Sequence, residues 1–357
     1  VAQLMNEVFI SIKVDREERP DIDKIYMTVC QMMTGSGGWP LTIIMTPDKK
    51  PFFAATYIPK ETRFGRSGMI ALIPKIQEIW QTRKDEVLNS ANQVVTSLQQ
   101  TQKALPSEEL TESTLDTAYN QLAQRFDPQY GGFGEAPKFP TPHNLSFLLR
   151  YWKRTGNENA LRMVEKTLEA MHQSGMYDQI GFGFHRYSTD QQWLLPHFEK
   201  MLYDQAMLAI AYTEAFQITR KSIYEKAARE IFTYIKRDMT SEEGGFYSAE
   251  DADSEGEEGK YYLWTQEEIR QILTEGEAEI ILKIYNTKSD GNFYDEATKG
   301  KPGTNVLHLT QSSAEIASAM NKSEKSIQTT IDRARQKLFD TRNKRCLLYT
   351  SDAADDL

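Results

Sequence analysis

The spacing of hydrophobic residues divides the first 86 residues into alternating helices and strands. From Val8 to Val14, apolar and polar side chains alternate, which is the pattern of a half-buried strand. Asp21 is a candidate N-cap for the next helix, and the glycines from Gly35 onward end it. The predicted elements are a helix end at Val1–Glu7, a strand at Val8–Val14, a helix from Asp21, strands at Leu41–Thr46 and Pro51–Tyr57, and a helix with Ile70, Ile73, Ile76, Ile79 and Trp80 on one face.

This order of elements is typical of a thioredoxin fold that lacks its first part. In that fold the first of these helices carries Cys-x-x-Cys at its N-terminus, where the helix dipole lowers the pKa of a thiol. Pro40 is then predicted to be the cis-proline that begins the next strand and faces those cysteines. Outside this fold, Gly37–Pro40 would be an ordinary loop.

The rest of the chain reads as almost entirely helical. Its polar segment Val87–Lys103 leads into a new helix start at Pro106-Ser107. We therefore predict a thioredoxin-like domain at 1–88, a helical linker at 89–107 and a helical domain at 108–345. The predicted helices are Ser107–Phe126, Thr141–Thr155, Ala160–Ser174, Pro196–Thr219, Ile223–Met239, Gln266–Thr274, Glu277–Tyr285 and two within Ser312–Phe339.

Three glycine- and aromatic-rich loops recur between these helices, with glycines starting at 131, 181 and 244. These spacings of 50 and 63 residues are about one helical hairpin, which indicates hairpins that close into an α/α toroid or stack into a solenoid. Aromatic side chains beside the glycines offer flat faces for a ligand such as a sugar, and the alternative is that they fill the core. The candidates in the loops are Phe133, Phe184, Phe246 and Tyr247.

Composition limits the function classes. Lys and Arg number 42 against 51 Asp and Glu, a net charge of -9, which disfavours nucleic acid as a partner. Mean hydropathy is -0.58, and no apolar run approaches the roughly 18 residues that a membrane span needs. Two cysteines in 357 residues exclude a disulfide scaffold and suit a reducing compartment, so we predict a cytoplasmic location.

The sequence also supports separate predictions for the two ends of the chain. The chain opens at Val1 without a basic and apolar leader, which predicts a fragment or a processed start without a signal peptide. The segment Cys346–Leu357 has no helical or strand period and is similar to a translated sequencing adapter, as found in metagenomic assemblies. We therefore set it apart from the fold, and the alternative is an ordinary acidic tail.

Candidate chemistry is densest from His185 to Asp204. A helix opened by Pro196 would place His197 and Asp204, seven residues apart, on one face. A histidine with carboxylates in a cleft is an acid/base set, and the alternative is a polar network that ties the loop to the helix. Arg186, Tyr187 and Trp193 are the candidate ligand contacts here.

A second acidic cluster follows the third loop. Residues 250–259 partly match a calcium loop, but Tyr262 stands where the bidentate Glu belongs, so a solvated loop is the favoured interpretation. Glu250 and Asp251 directly follow the loop and are predicted to point into the helical ring, where paired carboxylates do glycosidase-type work. The sequence has no phosphate loop, zinc spacing or nucleophile elbow, so no cofactor and no metal are predicted.

Several long motifs closely resemble the spermatogenesis-associated protein 20 family. They are SIKVDREERPDID, MTGSGGWPLTIIMTPDKKPFFAATYIP, YGGFGEAPKFP, GFGFHRYSTDQQWLLPHFEKMLYDQA and GGFYSAEDADSEGEEGKYYLWT. The resemblance runs from Val1 to about Leu309. It implies a thioredoxin-like domain followed by an α/α toroid of the six-hairpin glycosidase and sugar-epimerase type, here lacking the family's Cys-x-x-Cys and its last helices. Cys30 has no partner at the right spacing and is expected to be a buried core residue.

Three functions remain open at this point. The helical domain binds a small, carbohydrate-like ligand and isomerises or hydrolyses it; or a longer form acts on disulfides of a protein client that the toroid recognises; or the chain is a non-catalytic scaffold. For the first, the predicted catalytic residues are His185, His197, Asp204, Glu250 and Asp251. We expect them to converge on one concave, aromatic-lined surface, because equivalent loops of a closed ring meet at one mouth.

The chain is expected to lack thiol–disulfide oxidoreductase activity, because it has no cysteine pair. An insulin-reduction assay checks this. Measurable turnover that is lost in Cys30→Ser would contradict it.

Overall fold

The structure is a computed structural model that describes residues 1–16, 18–63, 65, 67–102, 111–294, 300–347 and 349–350. The chain divides into two compact units, Val1–Leu110 and Thr111–Asp352. Most of the segment predicted to be an adapter, and the end of the predicted linker, lie outside the described residues. Among the described residues, no helix combines the length and the apolar character that crossing a lipid bilayer requires.

Unit 1 is a small α/β arrangement. Its strands form an antiparallel hairpin in which Thr42 lies opposite Ala55, with a register shift after Ile44. The helix before the hairpin starts with Pro20 at its first position and ends at Gly35, whose φ of 79° is a left-handed conformation that suits glycine. The elements are α1 (Ala2–Val8), α2 (Pro20–Thr34), β1 (Thr42–Met45), β2 (Pro51–Ala55), α3 (Met69–Thr82) and α4 (Lys84–Gln102).

The strand predicted at Val8–Val14 is wrong. α1 extends to Val8, and residues 9–14 form no strand. Ile10 and Ile12 are 93% and 78% exposed. A strand needs a hydrogen-bonded neighbour, and within the described part of unit 1 β1 pairs with β2 alone. The alternating pattern therefore has no ladder to join.

Two other positions of unit 1 were singled out in the sequence. The Trp39–Pro40 peptide bond is cis, and the indole of Trp39 donates a hydrogen bond to Asp23 at 2.8 Å. The role of Pro40 opposite redox cysteines stays a prediction. Cys30 is fully buried, the position expected for a core residue.

Unit 2 is built from helical hairpins, as the periodicity predicts. Side-chain caps fix several helix starts, including capping boxes that begin at Thr265, Thr274 and Ser312. The helices are α5 (Glu112–Arg125), α6 (Pro142–Thr155), α7 (Glu158–Gln173), α8 (Leu202–Thr219), α9 (Ser222–Asp238), α10 (Gln266–Ile272), α11 (Glu275–Ile284), α12 (Ser313–Ala319) and α13 (Glu324–Arg342). Short strands are β3 (Tyr187–Ser188), β4 (Pro196–His197), β5 (Lys200–Met201), β6 (Ala249–Glu250), β7 (Asp253–Ser254), β8 (Glu257–Glu258) and β9 (Tyr349–Thr350).

Two hydrophobic clusters form most of the core of unit 2. The first joins α6, α7, α8 and α9, and α8 lies at its centre, with contacts to the other three helices. Leu208 and Tyr212 of α8 are fully buried, and the Tyr212 hydroxyl donates to the Leu168 carbonyl at 2.8 Å. The second cluster joins α10 to α13. Unit 2 is thus the α-helical array that the sequence predicts to follow the α/β unit.

The first repeated loop is held by a buried ion pair. The carboxylate of Asp127 accepts backbone hydrogen bonds from Gln129 and Tyr130 at 2.9 and 3.0 Å. Its other oxygen accepts from the Lys138 ammonium at 2.6 Å, and the same ammonium donates to the Gly131 carbonyl at 2.9 Å. Burial works to raise the pKa of Asp127, but these hydrogen bonds outweigh it and lower that pKa to about 2.

The second loop repeats the same device. Asp178 accepts from the backbone of Ile180 and Gly181, both at 3.0 Å. The buried Lys200 ammonium donates to Asp178 and to the Phe182 carbonyl, both at 2.9 Å. The third loop has no such pair among the described residues, and its turn is closed by a backbone bond from Ser241 to the Gly245 carbonyl at 2.8 Å.

Two glycines let aromatic rings approach these loops. Gly132 and Gly183 both have φ of 80°. A Cβ at Gly132 would lie 2.5 Å from the Trp193 ring, and one at Gly183 would lie 2.7 Å from the Tyr234 ring. At each of these two positions, the aromatic ring therefore occupies the space that the side chain of any residue other than glycine would need.

Lys138→Met is expected to lower the free energy of unfolding by about 3–5 kcal/mol, because it leaves the buried Asp127 carboxylate without its cation. Urea unfolding at pH 7 measures this. Lys166→Met, an exposed lysine on α7, is the control and should change stability by less than about 0.5 kcal/mol. Equal effects of the two substitutions would contradict the structural role of the pair.

Candidate functional site

Four of the five predicted catalytic residues lie in two adjoining clusters of polar side chains in unit 2. The inner cluster consists of Asp178, His185, Lys200, Glu250 and Arg342, all of which are buried. The outer cluster consists of Arg186, His197, Glu199, Asp204 and Glu258, and reaches the surface at Glu258.

Short strands position both clusters, which corrects the predicted helix Pro196–Thr219. Pro196 and His197 form β4, where His197 pairs with Tyr187 of β3. Helix α8 begins only at Leu202. His197 and Asp204 therefore do not share a helix face. Proline begins strands as well as helices, so its position alone misplaced the helix start.

The inner cluster is a buried network of opposite charges. Lys200 Nζ lies 2.9 Å from Asp178 Oδ2 and 3.7 Å from Glu250 Oε1. Arg342 donates two hydrogen bonds to Asp178, both at 2.8 Å. The Tyr234 hydroxyl donates to Glu250 Oε2 at 2.9 Å, whereas Glu250 Oε1 is buried without a hydrogen-bond partner among the described residues.

The pKa values of the two acids of this network are shifted in opposite directions. Burial works to raise the pKa of Asp178, but Arg342 and Lys200 overcome it and hold that pKa well below its usual range. Burial raises the pKa of Glu250, and Lys200 and the Tyr234 hydroxyl only partly oppose it. One ammonium thus compensates Asp178 more fully than it compensates Glu250.

His185 lies inside the same network as a neutral side chain. Its Nδ1 lies 2.9 Å from the Phe198 carbonyl, and the rings of Phe198 and Tyr262 pack edge-on against it. Burial, and then the nearby Lys200, lower the pKa of His185 to about 3. The adjoining cavity of about 20 Å³ has room for about one water molecule, so no sugar can reach His185 here.

The outer cluster places a histidine between two carboxylates. His197 Nδ1 lies 2.6 Å from Glu258 Oε1, and its Nε2 lies 3.7 Å from Glu199 Oε2. Glu199 is also paired with Arg186. The hydrogen bond with His197 lowers the pKa of Glu258. This chain of charges fixes the imidazole of His197 at the edge of the site.

Burial shifts the pKa of Asp204, in the outer cluster, towards neutral pH. It lies in the first turn of α8 and is 8% exposed. Burial raises the pKa of Asp204 to about 7, with Arg186 lowering it and Glu199 adding to the rise. A carboxyl group that is about half protonated at pH 7 is able both to give and to take a proton.

The predicted aromatic contacts divide between the core and the surface. Phe133, Phe184 and Trp193 are buried in the first hydrophobic cluster. They therefore fill the core, which was the alternative to ligand contact. Tyr187 stacks on His197 with centroids 5.0 Å apart, and Phe246 is 60% exposed. Tyr247 is half-buried.

An exposed ring that the sequence reasoning missed extends this aromatic surface. Phe139 is 47% exposed and lies 4.8 Å from the Tyr187 ring, so Phe139, Tyr187 and His197 form a row beside the outer cluster. In the sequence, the signal that could have identified Phe139 is its place between Lys138 and Pro140, close to the first glycine-rich loop.

The catalytic residues predicted to converge on one open surface are therefore separated by burial. His185 and Glu250 meet at Lys200, in the interior. His197 lies 3.7 Å from Glu199, and the Arg186–Glu199 pair acts electrostatically on Asp204. Asp251 accepts a hydrogen bond from the Asp253 backbone at 2.8 Å, in the loop before β7.

Five members of the two clusters were not predicted as site residues from the sequence. They are Asp178, Glu199, Lys200, Glu258 and Arg342. No metal-binding group of three His, Cys, Asp or Glu side chains occurs among the described residues.

Several known sequences are similar to this chain over most of its length. The family model Thioredox_DsbH, described as "Protein of unknown function, DUF255", matches residues 1–99 and confirms the thioredoxin-like prediction for that region. Human spermatogenesis-associated protein 20 is 39% identical over 97% of this chain and 47% of its own length. An uncharacterized protein of Caenorhabditis elegans is 34% identical over 96% of this chain and 50% of its own length. The chain thus spans about half the length of these relatives.

Two solved structures match parts of this chain with low scores. A cellobiose 2-epimerase from Bacillus thermoamylovorans is 16% identical, covers 39% of this chain and 41% of its own, and has a TM-score of 0.34. A D-mannose isomerase is also 16% identical, covers 46% of this chain and 44% of its own, and has a TM-score of 0.34.

Asp204→Asn is expected to stabilise the chain at pH 8 and to have little effect on stability at pH 4. The folded state holds a proton on Asp204 up to a pKa of about 7, so the wild type loses stability as the pH rises from about 4 through 7, by up to a few kcal/mol. Urea unfolding at both pH values checks this.

The exposed Asp340→Asn on α13 is the matched control for this change. If Asp204→Asn were destabilising at pH 8, or if both variants gave the same pH profile as the wild type, the raised pKa of Asp204 would be excluded.

Proposed function

The chain belongs to the spermatogenesis-associated protein 20 family, and we propose that its helical unit binds a carbohydrate-like ligand at the outer cluster and moves a proton there with Asp204. The observation that carries the proposal is the Asp204 carboxyl, whose pKa of about 7 suits proton transfer at neutral pH. We propose the same activity and substrate class for the whole protein, and we propose that it is located in the cytoplasm.

The groups around Asp204 support a polar, uncharged ligand. Arg186 and Glu199 are paired with each other, so neither offers an uncompensated charge to an ionic ligand. Together with His197, which lies 3.7 Å from Glu199, they offer hydrogen-bond donors and acceptors, and both act electrostatically on Asp204. A polyol, whose hydroxyl groups both donate and accept, matches such a mixed set.

The aromatic row gives the ligand a second kind of contact. Phe139 is about half exposed, and Tyr187 packs between Phe139 and His197. The C–H face of a sugar ring is apolar and is able to cover such rings while its hydroxyl groups face the polar cluster. The combination of a flat apolar row and a mixed polar cluster is what favours a sugar over a purely apolar ligand.

Two reaction types fit this site. In both epimerisation and isomerisation, ionised Asp204 takes a proton from the carbon next to the sugar carbonyl and leaves an enediolate. In epimerisation a proton returns to the opposite face of the same carbon. In isomerisation it returns to the former carbonyl carbon, while the hydroxyl proton moves to the carbonyl oxygen. In glycoside hydrolysis, protonated Asp204 gives its proton to the leaving oxygen, with Glu199 or Glu258 as candidate partner carboxylates. Activity that rises through pH 7 supports Asp204 as a base, and activity that falls supports it as an acid.

The test is a panel of mono- and disaccharides followed by NMR in D₂O. Deuterium incorporation next to the carbonyl identifies isomerase or epimerase chemistry, and release of a new reducing end identifies hydrolysis. Asp204→Asn is expected to reduce turnover by about a hundredfold or more. Asp340→Asn should retain full turnover. An Asp204→Asn variant as active as the wild type, or an absence of sugar binding by thermal shift, would reject the proposal.

Thiol–disulfide exchange in a longer form of the protein is the second candidate function. The family-model match over residues 1–99 and the half-exposed Trp39 next to Pro40 favour it, since an exposed indole offers a contact for a protein client. The sequence encoded before Val1 tests this function. A Cys-x-x-Cys there supports it, and Ser or Ala in those positions rejects it.

A further inference from the structure

We propose that a second cavity in unit 2, separate from both clusters, binds a small molecule through a phosphate or carboxylate group. The cavity measures about 540 Å³ and lies between the end of α7, the start of α9, the end of α11 and one face of α13. This volume is within the range of small-molecule sites, and the proposal does not depend on sugar chemistry at Asp204.

A buried histidine without hydrogen bonds forms part of the wall. His172 is 5% exposed, and neither ring nitrogen has a hydrogen-bond partner among the described residues. Its Nε2 lies 3.6 Å from Glu230 Oε2, beyond hydrogen-bond distance. A buried polar atom without a partner is costly, so a ligand oxygen that accepts from His172 would remove that cost.

The start of α9 adds backbone donors. Ser222 and Ile223, the first two residues of the helix, line the cavity. The N-cap residue Lys221 makes no side-chain capping bond, and its ammonium instead lies 2.7 Å from Glu165. The Tyr224 amide donates to the Lys221 carbonyl at 3.2 Å, whereas the amides of Ser222 and Ile223 have no acceptor among the described residues. Those two N–H groups remain for an anion, which the positive end of the helix dipole also favours.

Two cations complete the donor set, although acids lie near them. Lys226 and Arg335 line the cavity, and Glu230 lies behind them at 3.9 and 3.8 Å. The Tyr177 hydroxyl donates to Glu230 at 2.6 Å from the far side, so that carboxylate is occupied there.

The remaining acids near the cavity are also engaged. Glu315 lines the wall but accepts the backbone N–H and hydroxyl of Ser312 at 2.6 and 2.8 Å. Asp332 accepts from Arg335 at 3.0 Å, which uses one of the five N–H groups of the guanidinium. The Lys226 ammonium and the Arg335 guanidinium thus keep N–H groups that can donate to an acceptor-rich anion.

The cavity is larger than a bare anion. Ile223, Ile284 and Ile331 supply an apolar part of its wall. A small organic phosphate or carboxylate, with its charged group at His172, α9 and Lys226 and its carbon skeleton against these isoleucines, uses both parts. Among the described residues, no Phe, Tyr or Trp side chain lines this wall, in contrast to the outer cluster.

Inorganic phosphate and succinate are the two probes, titrated into the chain at pH 7.5 and constant ionic strength by calorimetry and thermal shift. Saturable binding of phosphate alone identifies a phosphate group, and of succinate alone a carboxylate. Lys226→Gln should weaken the binding about fivefold or more, since it removes a charge-assisted contact. Arg229→Gln on the same helix removes an equal charge outside the cavity and should change affinity less than about twofold.

Two further variants separate binding from folding. Ser222→Asp places a carboxylate at the start of α9, so it should raise the melting temperature while abolishing anion binding. His172→Phe replaces an unsatisfied ring with an apolar one of similar shape, so it should fold at least as well and bind more weakly. The proposal is overturned if neither anion binds saturably, if Lys226→Gln and Arg229→Gln weaken binding equally, or if Ser222→Asp binds as tightly as the wild type.

Discussion

Two buried lysine–aspartate pairs determine the shape of unit 2. A carboxylate taken out of water is unfavourable unless a cation and hydrogen bonds compensate it. Asp127 and Asp178 meet this requirement in the same way, each with backbone N–H groups on one oxygen and a buried ammonium on the other. Each ammonium also bonds a carbonyl of its own loop, so charge neutralisation and loop geometry are achieved together. His185 and Arg186 directly follow the second loop, and their positions depend on it.

The separation into an inner and an outer cluster follows from strand alternation. His185 and Lys200 belong to the inner cluster, whereas their sequence neighbours Arg186 and Glu199 belong to the outer one. Neighbouring residues of an extended chain point to opposite faces, so two adjacent pairs supply charge to both clusters. The inner face is sealed, and the pKa values of its two acids are shifted in opposite directions. The outer face, closer to solvent, holds the acid that titrates near neutral pH.

Local signals made most helices predictable, because caps and apolar periodicity act within a few residues of the element they define. Thr155 and Thr219 end their helices where periodicity placed the ends. The prediction of a strand at Val8–Val14 was wrong because a strand needs a hydrogen-bonded partner strand. The alternation of apolar and polar residues does not reveal whether such a partner exists. The predicted start of α8 was wrong because a proline such as Pro196 can begin a strand as well as a helix. The site was predictable only in part: the residue types of His197 and Asp204 were visible, but the burial that separates them from His185 arises from packing between remote segments.

The bond between Asp178 and Arg342 joins positions 164 residues apart. Residues of α13 must therefore be in place before the loop after α7 is complete. Such long-range closure is entropically slow, and it couples the last described helix to the middle of the unit. Backbone amides in the loop at 178–184 should then exchange with solvent at the rate set by opening of the whole unit and not of the loop alone. Nicking or displacing α13 would loosen a turn that is remote from it in sequence.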